Sequence, residues 1–142
     1  MTLLTLFGCR RTSVIGHLTS FSFSYSTGNM MDASVRYTLT AEDGTVTITI
    51  KPDRVPDEQA VTVTADEAAV RELERILNEH EVAHWNGFNK NNRNVLDGNS
   101  FTLSVTMENG KDIHAHGYMK WPKGYQETKA ALDGFFAQYL NK

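Results

Sequence analysis

The sequence is poor in the residues from which a function is usually inferred. It has one cysteine, so an intramolecular disulfide is excluded and the fold must be held by its core alone. Its 14 basic and 17 acidic side chains give a formal net charge of -3 at pH 7, and the basic residues form no cluster. Nucleic acids and anionic membranes both select a basic face, so neither is an expected partner. No apolar run in the folded part approaches the roughly 18 residues of a transmembrane span.

Recognisable catalytic motifs are also missing. The chain contains no G-x-S-x-G nucleophile elbow, no phosphate-binding P-loop and no cluster of paired carboxylates. Its 142 residues are the length of one domain with one core. The sequence therefore favours a single, non-enzymatic domain that binds a protein or a polar ligand.

The N-terminal segment indicates where the protein acts. "MTLLTLFGC" closes a short apolar run on Cys9, and it resembles the lipobox at which bacterial lipoprotein precursors are cleaved and acylated. This resemblance predicts an exported, cell-envelope protein that is lipidated on Cys9; the alternative is a cytoplasmic chain. Residues 1–17 are assigned to this signal-like segment and a linker, and residues 18–142 to the folded domain.

Alternating apolar and polar residues predict a three-stranded meander in the first half. The three alternating stretches are 21–26, 35–41 and 46–50. A two-residue turn at Asp43-Gly44 would pair Leu39 with Ile48. A short fourth strand follows, and Thr64 with Glu67 reads as a capping box that opens a helix.

The second half predicts a hairpin and another helix, in "SFTLSVTM", "KDIHAHGYM" and "YQETKAALDGFFAQYL". A three-residue turn with Gly110 in a bulge would place Ile113 opposite Val105 and leave His114 and His116 on the outer face. A two-residue turn would instead turn both histidines inward, and we favour the bulge. Two histidines on one strand are too few ligands to define a metal site.

The predicted fold class is α+β. We expect an antiparallel sheet of about five to six strands (three-stranded meander, short strand, helix, hairpin, helix), with the two helices packed on one face. The other face would be a polar platform, either for a flat ligand such as a glycan or for water alone. Its expected members, besides the two histidines, are Ser20, Ser22, Ser24, Ser34, Thr38, Thr47, Thr49, Thr102 and Ser104.

The stretch "HEVAH" matches the zinc-hydrolase motif H-E-x-x-H, in which His80 and His84 would bind zinc and Glu81 would act as the general base. The motif requires one continuous helix through His84, whereas Asn78 and His80 are typical of a last helical turn. Lys90 occupies the place of the third histidine in the longer motif, and an ammonium group has no lone pair for a metal. We interpret the stretch as a helix end with no metal or cofactor; a minimal zinc-dependent hydrolase is the alternative function.

An asparagine-rich stretch after this motif is a candidate ligand surface. "NKNNRNVLDG" is flanked by aromatic residues, and amide groups beside an aromatic edge suit a polar ligand. The candidate residues are Trp85, Phe88, Asn91, Asn92 and Asp97.

The region from residue 85 onward resembles a recurrent pattern in small, uncharacterised exported bacterial proteins. The elements that carry the resemblance are Trp85-Asn86-Gly87-Phe88, Leu96-Asp97-Gly98, Ser100-Phe101, Gly117-Tyr118-Met119, Trp121-Pro122 and Tyr125. The resemblance implies export but no activity, cofactor or catalytic residue. The expected partner is an unknown protein or polar ligand at the cell envelope.

Overall fold

The computed structural model describes residues 14–27, 34–52, 60–94 and 98–140. Its strands are β1 (Leu18–Ser26), β2 (Val35–Glu42), β3 (Thr45–Pro52), β4 (Val61–Ala65), β5 (Asn89–Asn91), β6 (Ser100–Met107) and β7 (Asp112–Tyr118). Its helices are α1 (Glu67–Glu79) and α2 (Tyr125–Ala137), with a short 3₁₀ helix at Val82–Trp85. One sheet contains all seven strands in the order β4-β3-β2-β1-β6-β7-β5. The predicted α+β class is confirmed.

The first hairpin has the predicted register. Asp43 and Gly44 both have positive φ angles, 52° and 79°, as a type I′ turn requires. Leu39 is paired with Ile48, and both side chains are fully buried. Local turn chemistry therefore fixes which face of the meander points into the core.

The second hairpin confirms the predicted bulge. Gly110 has a φ of 87°, and the Met107 amide donates to the Lys111 carbonyl oxygen at 2.9 Å. Ile113 consequently lies opposite Val105. His114 and His116 lie on the outer face, where both are exposed.

The sheet differs from the prediction in strand number and direction: it has seven strands and is mixed, because β5 runs parallel to β7. All three β5 residues are polar and exposed, so no alternation marks them as a strand. Backbone hydrogen bonds hold this edge, including those from His116 N to Phe88 O (2.9 Å) and from Asn92 N to Tyr118 O (3.0 Å). β5 covers the edge that β7 would otherwise expose.

The predicted capping box at the start of α1 is wrong. Asp66 is the N-cap residue, and its carboxylate accepts a hydrogen bond from the Ala69 amide. Thr64 lies instead in β4, paired with Thr47 of β3. Pairing with the neighbouring strand extends β4 to the residue before the cap, which moves the helix start two residues along the chain.

Both helices contribute buried residues to one core on the apolar face of the sheet. The predicted stripe of α1 is buried in full: Val70, Leu73, Ile76 and Leu77. From α2, the Phe136 ring stacks on Tyr37 with centroids 4.4 Å apart. The opposite face carries the predicted hydroxyl side chains, with one correction: Ser34 is buried, and its Oγ accepts from the Thr27 amide at 3.0 Å.

Residues before β1 are tied to α1 by side chains of the helix. The Asn78 amide group brackets Ile15, accepting from its N–H at 2.8 Å and donating to its carbonyl oxygen at 3.0 Å. Glu74 Oε2 accepts from the Leu18 amide at 2.9 Å. Ile15 is 3% exposed, so the packed unit begins before the predicted boundary at residue 18.

Candidate functional site

The H-E-x-x-H stretch lies at the end of α1 and beyond it. The helix ends at Glu79, and His80 is its C-cap residue. Glu81 follows in the left-handed region with φ 55° and ψ 40°, and His84 lies in the separate 3₁₀ helix. The two histidines therefore do not occupy successive turns of one helix, which is the arrangement that the zinc motif requires.

The turn after α1 brings an aromatic residue into the core, as predicted. Trp85 is 3% exposed, and its indole N–H donates to the Lys123 carbonyl oxygen at 3.2 Å. Phe88 follows and is half-buried against the Phe101 ring. The segment after α1 is thereby joined to the loop that leads into α2.

That loop begins with a close approach of two backbone segments. At Gly117, an added Cβ would lie 2.2 Å from the Lys120 carbonyl oxygen and 2.7 Å from Phe101 Cε1. Met119, next but one, has a positive φ of 54°. Strained backbone of this kind in a non-glycine residue persists only where the surroundings fix it, and here it precedes Trp121.

Trp121 is the half-buried aromatic residue around which the candidate site is built. Its ring stacks on Tyr125 with centroids 4.7 Å apart and contacts Phe101 at 5.9 Å. Tyr125 is itself buried at the start of α2. The core therefore fixes one side of the indole and leaves its remaining surface to solvent.

Two depressions meet at Trp121. The histidine groove has a volume of about 370 Å³ and is lined by His80, Glu81, His84, Phe88 and Trp121, with Trp85 at its base. The lysine groove has a volume of about 400 Å³ and is lined by Tyr25, Asn99, Trp121, Tyr125, Gln126 and Lys129. Aromatic walls with a few polar groups are the usual composition of a small-molecule site.

Part of the charge in the two grooves is already neutralised. In the lysine groove, Lys129 Nζ lies 3.0 Å from Asp133 Oδ2 and 4.1 Å from the centre of the Tyr25 ring. At the histidine groove, Glu79 is paired with Arg75 at 2.6 Å. In the described part of the chain, the side chains of His80, Glu81 and His84 make no hydrogen bond or ion pair, so they remain available to a ligand.

Asp133 is the centre of a partly buried polar network behind the lysine groove. Its Oδ1 accepts from the Tyr37 hydroxyl at 2.6 Å and from the Tyr25 hydroxyl at 3.4 Å. Burial, and then the nearby Asp133 carboxylate, raise the pKa of Tyr37 well above its ordinary value of 10.0. Burial also raises the pKa of Tyr125. These phenols therefore act as neutral hydrogen-bond donors and packing groups, not as general bases.

The raised pKa of Tyr37 predicts a loss of stability in alkali. Above pH 10 the unfolded chain releases its tyrosine protons while folded Tyr37 keeps its own, so the free energy of unfolding falls as pH rises. In a Tyr37→Phe variant, this fall should be shallower by up to about 1.4 kcal/mol per pH unit. Urea unfolding from pH 9 to 11 measures both slopes. The difference in free energy of unfolding between the two proteins at pH 7 gives the separate effect of losing the hydrogen bond to Asp133. Equal slopes in alkali would contradict the prediction.

The residues of the predicted ligand surface do not lie together in the structure. Trp85 is in the core and Phe88 lines the histidine groove, whereas Asn91 is exposed at the end of β5. The Asn92 side chain accepts from the Asn94 amide at 3.1 Å, which is a local asparagine turn. Asp97 and Cys9 lie outside the described residues.

The outer-face histidines are each held by a neighbouring strand. His116 Nδ1 lies 3.1 Å from Thr102 Oγ1, and His114 Nδ1 lies 3.2 Å from Ser104 Oγ. Within residues 14–27, 34–52, 60–94 and 98–140, no group of three or more histidine, cysteine or acidic side chains is placed to hold a metal. Two imidazoles alone do not complete a site.

Sequence reasoning placed Trp121 among architectural residues and did not identify Asn99, Gln126 or Lys129. Trp121 joins residues from α1 only in three dimensions, so no local pattern reveals the grooves. A usable signal was the tryptophan itself, in a short loop between a strand and a helix.

No family model matches this sequence, and a search of curated proteins finds no significant match. The resemblance to small exported bacterial proteins therefore stays a prediction. Over the part of the chain that the structure describes, neither helix is long and apolar enough to cross a membrane.

Proposed function

We propose that this chain is a non-enzymatic binding domain of the bacterial cell envelope, exported or lipid-anchored through Cys9, whose ligand lies across Trp121. The observation that carries the proposal is the half-buried indole of Trp121, held by Tyr125 and Phe101 between two grooves. A tryptophan held rigidly by its neighbours offers a large contact area at little cost in conformational entropy. The lipobox-like start supports the location.

The ligand class that best fits the grooves is a neutral saccharide. A sugar ring has one face of C–H groups, which suits an indole, and a rim of hydroxyls that both donate and accept hydrogen bonds. Glu81 supplies acceptors, the two histidines supply donors or acceptors, and Gln126 supplies both. Lys129 and Glu79 are already paired, and the two other charged residues of the grooves, Glu81 and Lys123, have opposite signs, so the grooves carry little net charge to select an ion.

The geometry after α1 favours binding over zinc-dependent hydrolysis. A general base and two metal ligands must be held on one rigid helical face. The left-handed backbone at Glu81 breaks that face between His80 and His84. The same three side chains are better placed to line a groove than to converge on one ion.

A glycan array probed with the full chain, followed by titration of the best saccharide, tests the binding site. Trp121→Ala should weaken binding at least about tenfold, because truncating a central aromatic anchor commonly costs 2 kcal/mol or more. Isothermal titration calorimetry provides the readout, since Trp121→Ala removes the more accessible indole and leaves only the buried Trp85 as a fluorophore.

The matched control is Leu140→Ala, which truncates a large exposed apolar residue, 50% exposed, that lines neither groove. This variant should bind as wild type does. If every saccharide on the array fails to bind, or if both variants bind equally well, the saccharide site at Trp121 is wrong.

Fractionation of cells that produce the full chain tests the location separately. The proposal expects the protein in the membrane fraction and its release when Cys9 is replaced by alanine. A chain found only in the cytoplasm would contradict the envelope assignment and leave the binding site to be judged by the titration.

A further inference from the structure

The two edges of the sheet are built differently. At one edge, β5 has three residues, all polar and exposed, with Lys90 in the middle. At the other edge, β4 reads Val-Thr-Val-Thr-Ala, which contains no charge and no proline, and it pairs with β3 in one unbroken register. Charges, prolines, bulges and very short strands protect natural edges from pairing with another chain. β5 has such protection, whereas β4 does not.

The turn between β2 and β3 determines which backbone groups of β4 point outward. Thr45 flanks this two-residue turn and is therefore in a hydrogen-bonded pair with β2. Bonding to the two neighbours alternates along a strand, so Ile48, three residues on, directs its N–H and C=O groups toward β4, where it is paired with Val63. Val63 thus bonds inward. Thr62 and Thr64, on either side of it, direct their backbone groups away from β3.

Pro52, at the end of β3, supports this alternation. It is an even number of residues from Ile48, so its nitrogen, which carries no hydrogen, points away from β2. A proline on the opposite phase would have removed a hydrogen bond between β2 and β3. The outward direction of Thr62 and Thr64 is therefore consistent with both ends of β3.

The outer side of β4 is incompletely covered in the part of the chain that the structure describes. There β4 is paired with β3 alone, and the outward N–H and C=O groups of Thr62 and Thr64 have no hydrogen-bond partner. Val61, Val63 and Ala65 pack against the core, but each is only partly buried. A strand added beside β4 would pair these backbone groups and cover the remaining apolar surface.

We propose that β4 pairs with β4 of a second copy of this chain, antiparallel and about a two-fold axis at Val63. In this register, Thr62 faces Thr64 of the second copy, and each donates its N–H to the carbonyl oxygen of the other. Val63 faces Val63 of the second copy in a non-hydrogen-bonded pair, in which cross-strand side chains lie closest. Asp66, just beyond the strand, faces Ala60, so the register opposes no like charges.

The strand is self-complementary, which is why the partner is a second copy. Its outward-facing residues lie symmetrically about Val63, as an isologous contact requires. Such a contact also closes the assembly, because the only edges left are the two copies of β5, each protected by Lys90. The inference does not depend on the saccharide site, since no residue of β4 lines the histidine groove or the lysine groove.

Sedimentation velocity of the full chain tests the dimer, with a reducing agent present so that Cys9 cannot cross-link two copies. Wild type should pass from monomer to dimer as its concentration rises through the micromolar range. Amide hydrogen exchange at Thr62 and Thr64 should slow at least about tenfold over the same rise, because pairing protects these groups. A wild-type chain that stays monomeric at the highest concentration would overturn the proposal.

Thr62→Pro tests the edge itself, because it removes an outward N–H and no hydrogen bond to β3. It should melt close to wild type and stay monomeric where wild type is a dimer. Val63→Pro is the matched contrast for the fold. It removes an N–H that bonds to β3, so it should melt clearly lower than Thr62→Pro.

Val63→Lys tests the same contact by charge, since it places two ammonium groups face to face on the two-fold axis. Dimerisation should weaken at least about tenfold. Thr40→Lys is its control, because it adds the same charge at an exposed position of β2, inside the sheet, and should dimerise as wild type does. A dimer that persists in folded Thr62→Pro, or in Val63→Lys, would use another surface and contradict the proposal.

Discussion

Replacing Gly117 with alanine is expected to lower the free energy of unfolding by about 3 kcal/mol, at the upper end of the usual range for overpacking. The new Cβ would lie 2.2 Å from the Lys120 carbonyl oxygen, a backbone atom that cannot swing aside, and 2.7 Å from the Phe101 ring. Relief requires the loop before Trp121 to move. Urea unfolding measures the loss, and saccharide binding should fall with it.

Gly134→Ala is the control for this change, because it is also glycine to alanine but meets no atom within 4 Å. Gly134 is exposed within α2, where alanine is favoured over glycine by up to about 1 kcal/mol. This variant should therefore be more stable than wild type. A Gly117→Ala protein as stable as wild type would contradict the close approach between β7 and the following loop.

Phe101→Ala should destabilise the protein by about 3–5 kcal/mol and disorganise the site as well. The Phe101 ring is 1% exposed and contacts Trp85, Trp121 and Tyr125, with centroids 5.9, 5.9 and 4.8 Å away. Its truncation removes the support on which Trp121 rests. Near-ultraviolet circular dichroism should lose tryptophan signal at temperatures where the far-ultraviolet spectrum is still native.

A second truncation separates stability from the site. Phe135→Ala removes a ring that is 5% exposed and contacts Phe136 and Tyr139, outside the cluster around Trp121. We expect a comparable loss of stability with the tryptophan signal retained. Identical spectra for the two variants would show that Phe101 does not position Trp121.

The parts of the fold that were predictable from sequence are those fixed by neighbouring residues. Asp43-Gly44 determined the register of the first hairpin, and Gly110 determined the second, because positive φ angles restrict each turn to one geometry. β5 was missed because its pairing uses only backbone groups of exposed polar residues. The N-cap of α1 was predicted at the wrong residue because Thr64 pairs with Thr47 as part of β4.

The candidate site was less predictable because it is built from residues that are distant in the sequence. The motif at His80 and the tryptophan at 121 are about forty residues apart, and they are brought together by Trp85, which donates a hydrogen bond to Lys123 and packs against Tyr125. An alternating pattern predicts which face of the sheet a side chain occupies, but it does not predict which residues from distant segments lie next to each other.

The two hydrogen bonds between Asn78 and Ile15 fix the point at which the N-terminal segment joins the packed domain. Under the envelope proposal, only residues 10–14 separate a lipidated Cys9 from this fixed point, and six Cα steps extend at most about 20 Å. An anchored copy would therefore keep Ile15 within about 20 Å of its lipidated residue, and it would meet ligands that are borne by the membrane or lie close to it.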